Sequence, residues 1–420
     1  RHTGACLGLA VNYAGSYCVP VDSLRSPSFT QRYGISASIM DELPYNLVAQ
    51  PGDKERGVAL MQQGPGVYDE YVVDWLYRPV PGAVTPEDEV AELDRRIAAR
   101  RSDPMCLYTP PPVAVALDPR SMPYNLGDDP VRAAAYEFAN YAYVMKHADE
   151  WIGAEDADYT FRSLVQASVM NQLYYAFVSV SANLGGVYLN EKHEGDALPT
   201  YLSVPRGLQR RALQFMLEQL EDMSWLDNER LNKDVVEVVS LGEYCRDMLS
   251  DVIFKSLSTL DLSASKSDDP YTQDDAMDDL YRYILRDVAA GRDSTEANIA
   301  MQRLLLINVI RNAGVVTQTR RSAASASAFA GEVLPDAAAL SRRAKMARVF
   351  PEMTSDPVSG VLPMRSVAFM VRPAVDYKRY GMLLDMKKLY RNALGTPASE
   401  RMKNHYRYML LAIDRALKVD

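Results

Sequence analysis

The chain opens on a short stretch of apolar and small residues, His2 to Leu9, and then runs from Gly15 to Gly66 dense in Ser, Pro, Gly and Asp with little helical periodicity. The first pattern predicts a short N-terminal helix. The second predicts ordered loop structure, because these residues favour turns and local side-chain to backbone hydrogen bonds. Beyond Gly66 the spacing of apolar positions becomes helical. Tyr68, Tyr71, Val72, Trp75 and Leu76 recur at helical intervals and predict a helix over Val67–Tyr77. Thr85-Pro86-Glu87-Asp88 predicts another helix start, with a Thr cap, Pro in the first turn and acids facing the positive helix end, running to about Arg101. A Pro-rich connection, Thr109 to Pro112 and on to Pro123, leads to Asp128-Asp129-Pro130 and a helix to Ile152. Asp156 to Leu189 reads as one long buried helix or two in series, with Gly185-Gly186 as a bend or stop.

Further amphipathic patterns cover Pro205–Asp222, Asp234–Leu257, Asp274–Ala290, Ser294–Asn312, Asp336–Phe350, Tyr377–Ala393 and Pro397–Lys418. The best strand-type alternation lies in Ala114–Leu117 and Val361–Met370. No repeat of solenoid period is visible. The expected fold is therefore mainly α.

Composition narrows the classes of function. With 420 residues, 48% hydrophobic and 24% charged, the chain has the balance of a globular protein, long enough for two or three packed units. A net charge of -9 argues against a phosphate-binding surface, so nucleic acid is not an expected partner. The short basic runs at Arg95-Arg96, Arg100-Arg101, Arg210-Arg211 and Arg320-Arg321 read as solvated helix faces. The most apolar stretch, Leu173 to Leu189, is interrupted by Ser179, Ser181, Asn183 and two glycines, so no membrane span is expected. Four cysteines, Cys6, Cys18, Cys106 and Cys245, show no metal-ligand pairing, although a Cys6–Cys18 bridge is conceivable. His147, His193 and His405 are isolated and read as structural or surface residues. The acids Asp268-Asp269 and Asp274-Asp275-Asp278-Asp279 lack the spacing of a calcium loop and read as capping and solvation.

The informative chemistry lies in the first 41 residues. Arg1-His2-Thr3-Gly4-Ala5-Cys6-Leu7-Gly8-Leu9-Ala10-Val11-Asn12 resembles the zinc helix of the metzincin peptidases, whose pattern is HExxHxxGxxH. Gly8 falls on the turn glycine, and Gly4, Leu7, Leu9, Asn12 and Ser16 resemble the helix and its exit. Ser38-Ile39-Met40-Asp41 resembles the Met-turn, the methionine beneath the metal in that family. The resemblance extends through Val21-Asp22-Ser23-Leu24-Arg25-Ser26, Val48-Ala49-Gln50-Pro51-Gly52-Asp53, Gly66-Val67-Tyr68-Asp69, Ser102-Asp103-Pro104-Met105, Leu126-Gly127-Asp128-Asp129 and Gly185-Gly186-Val187-Tyr188. These blocks are similar to large secreted bacterial metallopeptidases, least securely beyond about residue 260.

The resemblance implies zinc as cofactor, two His one helical turn apart as ligands with a third past the glycine, and a Glu as general base. Here the ligand positions hold Arg1, Ala5 and Val11, and the base position holds His2. Ala and Val offer no lone pair, and Arg is permanently cationic. The expectation is a pseudopeptidase with no bound metal and no catalytic residue. A metal set shifted by one residue, His2 with Cys6 and a third ligand such as Asp22 or Asp41, is the enzymatic alternative; it is disfavoured because no second His lies nearby.

The expected organisation is a metzincin-like C-terminal subdomain over 1–104, a Pro-rich connection over 105–127 and a helical domain over 128–420. The resemblance further implies a substrate-binding subdomain upstream of Arg1, or another chain in its place, and secreted, periplasmic or outer-membrane placement. A peptide or protein is the expected partner. A third expectation makes the helical domain itself a partner-binding scaffold.

Overall fold

A computed structural model describes residues 1–43, 45–109, 117–153, 156–157, 159–190, 199–231, 240–315 and 377–417. The chain divides into two compact units, Arg1–Leu305 and Leu306–Asp420.

In the first unit, α1 (His2–Cys6) is followed by α2 (Ala14–Tyr17), a 3-10 turn over Val21–Arg25 and α3 (Pro27–Tyr33). The Gly15–Gly66 region is thus not loop throughout. Ser26 caps α3, its Oγ accepting from Phe29 N at 3.3 Å with Pro27 in the first turn. A helix of about two turns carries too few positions for periodicity to register, so the cap was its main signal. Val19, Val21, Leu24, Ile35 and Val48 form a buried cluster with Leu126 and Ala133, covered by Phe29, Leu43, Leu47, Met105 and Tyr136. The same core therefore seats the N-terminal residues and the start of the long helices.

Next come α4 (Val67–Tyr77) and α5 (Pro86–Arg100), where the sequence places them. The start of α5 is held by Asp88, whose Oδ2 accepts from Thr85 N at 2.9 Å and Val84 N at 3.0 Å. The helical body consists of α6 (Pro130–Ile152), α7 (Thr160–Ser181), α8 (Arg206–Glu221) and α9 (Leu241–Ser256). Then follow α10 (Leu260–Ala264), α11 (Gln273–Ile284), α12 (Arg286–Ala289) and α13 (Glu296–Asn312). Helices α6 and α7 pack as an antiparallel hairpin, and α7 packs on α8 and α9.

The helical reading of Asp156–Leu189, with a bend or stop at Gly185-Gly186, is corrected at its end: the residues after the glycines form a strand. Helix α7 stops at Ser181; Gly185 takes φ +74°, and Val187–Leu189 forms strand β1, antiparallel to β2 (Tyr201–Ser203) in the register Val187↔Ser203. The physical reason is the positive φ, which a helix cannot continue through, followed by capture of Val187 N by the Leu117 carbonyl at 2.9 Å. Of the strand candidates, Val361–Met370 and residues 114–116 lie outside the described residues, as do the Asp336–Phe350 helix and His193.

The Cys6–Cys18 bridge is also corrected: all four cysteines are free thiols. Cys6 stands on the exposed flank of α1, whereas Cys18 turns inward with Sγ 3.8 Å from Met105 Sδ.

In the second unit, α14 (Tyr377–Ala393) and α15 (Glu400–Leu417) pack against one another. Leu383, Met386, Tyr390, Met402, Tyr406, Met409 and Ile413 are buried, and Lys387 Nζ meets Asp414 Oδ1 at 2.6 Å.

Candidate functional site

Helix α1 is one and a half turns long and ends where Gly8 adopts φ +84°. Gly8 N donates to Ala5 O at 3.0 Å and Leu9 N reaches back to Gly4 O at 3.0 Å, the hydrogen bonds of a helix terminated by a left-handed residue. Open space surrounds Gly8, so glycine is required there for its backbone angle. Gly4 matters for a different reason: a Cβ on it would stand 2.6 Å from Met40 Sδ, so any larger residue makes the buried Met40 side chain shift. Met40 lies buried directly against the helix, in the relation that the Met-turn resemblance implies.

The turn carrying Met40 is clamped from α4. Asp69 Oδ1 accepts from Ser38 Oγ at 2.6 Å, and its Oδ2 accepts from Ile39 N at 2.7 Å and Gly66 N at 2.8 Å. Ser38 Oγ in turn accepts from Met40 N at 3.0 Å. Asn12 locks the exit of α1. Its Oδ1 accepts from Ala14 N and Thr109 N, both at 3.1 Å; its Nδ2 donates to Leu107 O at 2.9 Å; and its own N–H reaches Met40 O at 3.4 Å. Asn12→Ala removes the side-chain partner of two buried backbone N–H groups and of the half-buried Leu107 carbonyl, and a loss of about 2–3 kcal/mol is expected, read by urea unfolding. Unchanged stability would mean that Asn12 does not hold this joint.

Asp41 is buried beneath the turn. Its Oδ2 accepts from Ser16 N at 2.7 Å and Ser36 Oγ at 3.0 Å, while Oδ1 has no hydrogen-bond partner among the described residues. Burial pushes its carboxyl up to about 7, against the opposing pull of those hydrogen bonds. A buried polar path continues from Ser16 Oγ to Asn125 Oδ1 at 2.7 Å and from Asn125 Nδ2 to the Arg120 carbonyl at 3.3 Å. There Arg120 pairs with Asp118 at 2.7 Å, and Asp118 also accepts from Leu189 N at 2.8 Å. The base of the site is thus tied to strand β1.

The four positions of the metal pattern are occupied otherwise. Arg1, just before α1, and His2 and Ala5 on it are exposed, and Val11 is half-buried past the Gly8 turn. Arg1 Nη1 faces Glu42 Oε1 at 3.5 Å, and Glu42 Oε2 accepts from Tyr13 Oη at 2.7 Å. Burial, then the Glu42 contact, pushes the Tyr13 phenol upward. Sequence reasoning missed Glu42 and Tyr13; the adjacency of Glu42 to the Met-turn was the available signal. His2 and Cys6 share the exposed α1, and no group of three His, Cys, Asp or Glu able to hold a metal occurs among the described residues. Asp22, one suggested third ligand, pairs with Arg132 at 2.5 Å instead. His147 stacks on Trp151 and faces Glu150 at 3.6 Å, and His405 packs beside Tyr390 and Tyr406.

These residues do not fit zinc. Catalytic zinc needs three nitrogen, sulfur or oxygen donors with one open position, and the side chains at the three pattern positions are a guanidinium, a methyl and an isopropyl group.

A short helix ended by a positive-φ glycine is seated here on a buried methionine turn, the arrangement that the resemblance to metzincins implies. The Met-zincin family model matches residues 1–291, and the chain belongs to that family. No curated protein and no solved structure matches it.

Proposed function

We propose that this chain is a metzincin that has given up zinc-dependent peptide hydrolysis and retains the helix and turn as a binding or structural element for a peptide or protein partner. One contrast carries the reading: Gly4, Gly8, Asn12 and Met40 keep their supporting contacts, whereas Arg1, Ala5 and Val11 supply no metal donor. Without zinc, nothing at this site lowers the pKa of water from about 15.7 toward 7 or polarises a peptide carbonyl as a Lewis acid. Arg1 supplies a fixed positive charge beside Glu42, and His2 is open to solvent. Placement outside the cytoplasm, implied by the family resemblance, belongs to the same proposal.

The test pairs elemental analysis with a peptide-cleavage assay on the full chain, before and after chelation. Substoichiometric zinc and no chelator-sensitive cleavage are expected. One zinc per chain, with cleavage lost on its removal, would overturn the proposal in favour of an altered metal set such as one built on His2 and Cys6.

A further inference from the structure

The net charge of -9 conceals two oppositely charged units. Residues 306–420 hold 19 Lys and Arg against 9 Asp and Glu, a net charge of +10. Residues 1–305 hold 27 against 46, a net charge of -19. The basic excess reaches the described α14–α15 hairpin, where residues 377–417 carry nine Lys and Arg and three acids. The hairpin lies outside the part of the chain that matches the family.

Each helix of the hairpin has two apolar stripes. One is buried, through Leu383, Met386 and Tyr390 on α14 and Met402, Tyr406 and Met409 on α15. The other is exposed and mixed with cations at helical spacing: Tyr377, Tyr380, Leu384, Lys388 and Arg391 on α14, and Arg401, Tyr408, Leu411 and Arg415 on α15. Tyr377 is 81% exposed, Tyr408 54% and Leu411 48%, a large apolar display for helices that already bury their other face.

We propose that this hairpin docks on the surface of an anionic lipid bilayer. Lys and Arg are drawn to acidic headgroups, while Tyr and Leu on the same stripe enter the boundary between headgroup and acyl chain. The leucines decide between lipid and nucleic acid: a strand of nucleic acid is held by cations and aromatic stacking, which leave Leu384 and Leu411 without a role. No helix among the described residues is long and apolar enough to cross a membrane, which agrees with a helix pair lying on the surface.

The test is co-sedimentation of the full chain with vesicles of phosphatidylcholine alone or with about 30 mol% phosphatidylserine, at low salt and at about 0.5 M salt. Binding to the acidic vesicles, at least about tenfold weaker on neutral ones and reversed by salt, is expected. Lys388→Glu/Arg391→Glu/Arg415→Glu is expected to weaken it at least about tenfold. Leu384→Asn/Leu411→Asn, which leaves the charge unchanged, should weaken it about three- to tenfold. Circular dichroism confirms that each variant keeps its helices. Equal binding to both vesicle types, or none to either, overturns the proposal. So does tighter binding to a single-stranded oligonucleotide that survives the leucine substitutions, or salt-sensitive self-association without vesicle binding. None of these readouts depends on the metal content of α1, so this proposal and the loss of peptidase function stand or fall separately.

Discussion

A variant carrying Arg1→His, His2→Glu, Ala5→His and Val11→His is expected to bind one equivalent of zinc, whereas less than one equivalent is expected for the unaltered chain. The expectation follows from how much of the frame persists. Gly4 lets Met40 approach the helix, Gly8 turns the chain at φ +84°, and Asn12 fixes the exit through side-chain bonds to residues 14, 107 and 109. Each new side chain would stand on backbone that is already held, so little ordering entropy opposes binding. Structural zinc in zinc-finger peptides contributes on the order of 10 kcal/mol at neutral pH, which sets the scale available to a bound ion. Calorimetry gives the stoichiometry directly, and chelator should lower the variant's melting temperature without affecting the parent. A folded variant that takes up no zinc would show that helix α1 and the Met40 turn are not a metzincin frame. Removing Arg1 also releases Glu42, so the variant should be compared with Arg1→His alone.

Stability is expected to fall as pH rises from about 4 to 7, opposite to the usual acid-limited profile. Two carboxyls are responsible. Burial pushes both Asp41 and Glu137 up to about 7, and Glu137 accepts from the Tyr141 hydroxyl at 2.9 Å. In the unfolded chain these groups ionise near 4, so through this window the unfolded state releases protons that the native state keeps. The stability they provide is full below about 4 and lost above about 7. For Asp41 alone the shift corresponds to about 4 kcal/mol. The paired carboxylates act elsewhere: Asp53 and Asp275 are held below the usual range despite burial, with hydrogen bonds and charge from Arg25 and Arg206 among the causes. Their contribution is lost as pH falls below about 4, which leaves the higher window to the two raised groups. Urea unfolding across pH 4.5 to 8 reads the slope, with both limits set around those ionisations. Asp41→Asn is expected to remove roughly half of it and to stabilise the protein at the upper end, since the amide carries no charge to desolvate. A slope unchanged in this variant would show that Asp41 is ionised in the native state.

Much of the helical framework is legible in the amino-acid sequence. Helices α4, α5, α6, α8 and α14 begin or end within a residue or two of the expected positions, because caps, prolines and helical periodicity are local signals. The exceptions are also physical. Helix α3 is too short to show a period, and β1 depends on a partner strand and on the Leu117 carbonyl. The opposing charges of the two units were hidden by summing over the whole chain, and became visible once the division at Leu305 was known.

The amino-acid sequence by itself determined the family, through a match that spans residues 1–291, and it placed Arg1, Ala5 and Val11, which carry no metal donor, where the resemblance to metzincins expects ligands. Both are properties of residue identity at a position and need no partner. What only the tertiary structure decided is what those residues meet: Met40 under Gly4, Asp69 bracing the turn from 30 residues away, Asn12 reaching Leu107 across 95, and Arg1 facing Glu42 across 41. Such pairings are set by the packing of the whole unit, because contacts across long loops form only where the surrounding core outweighs the entropy of closing them.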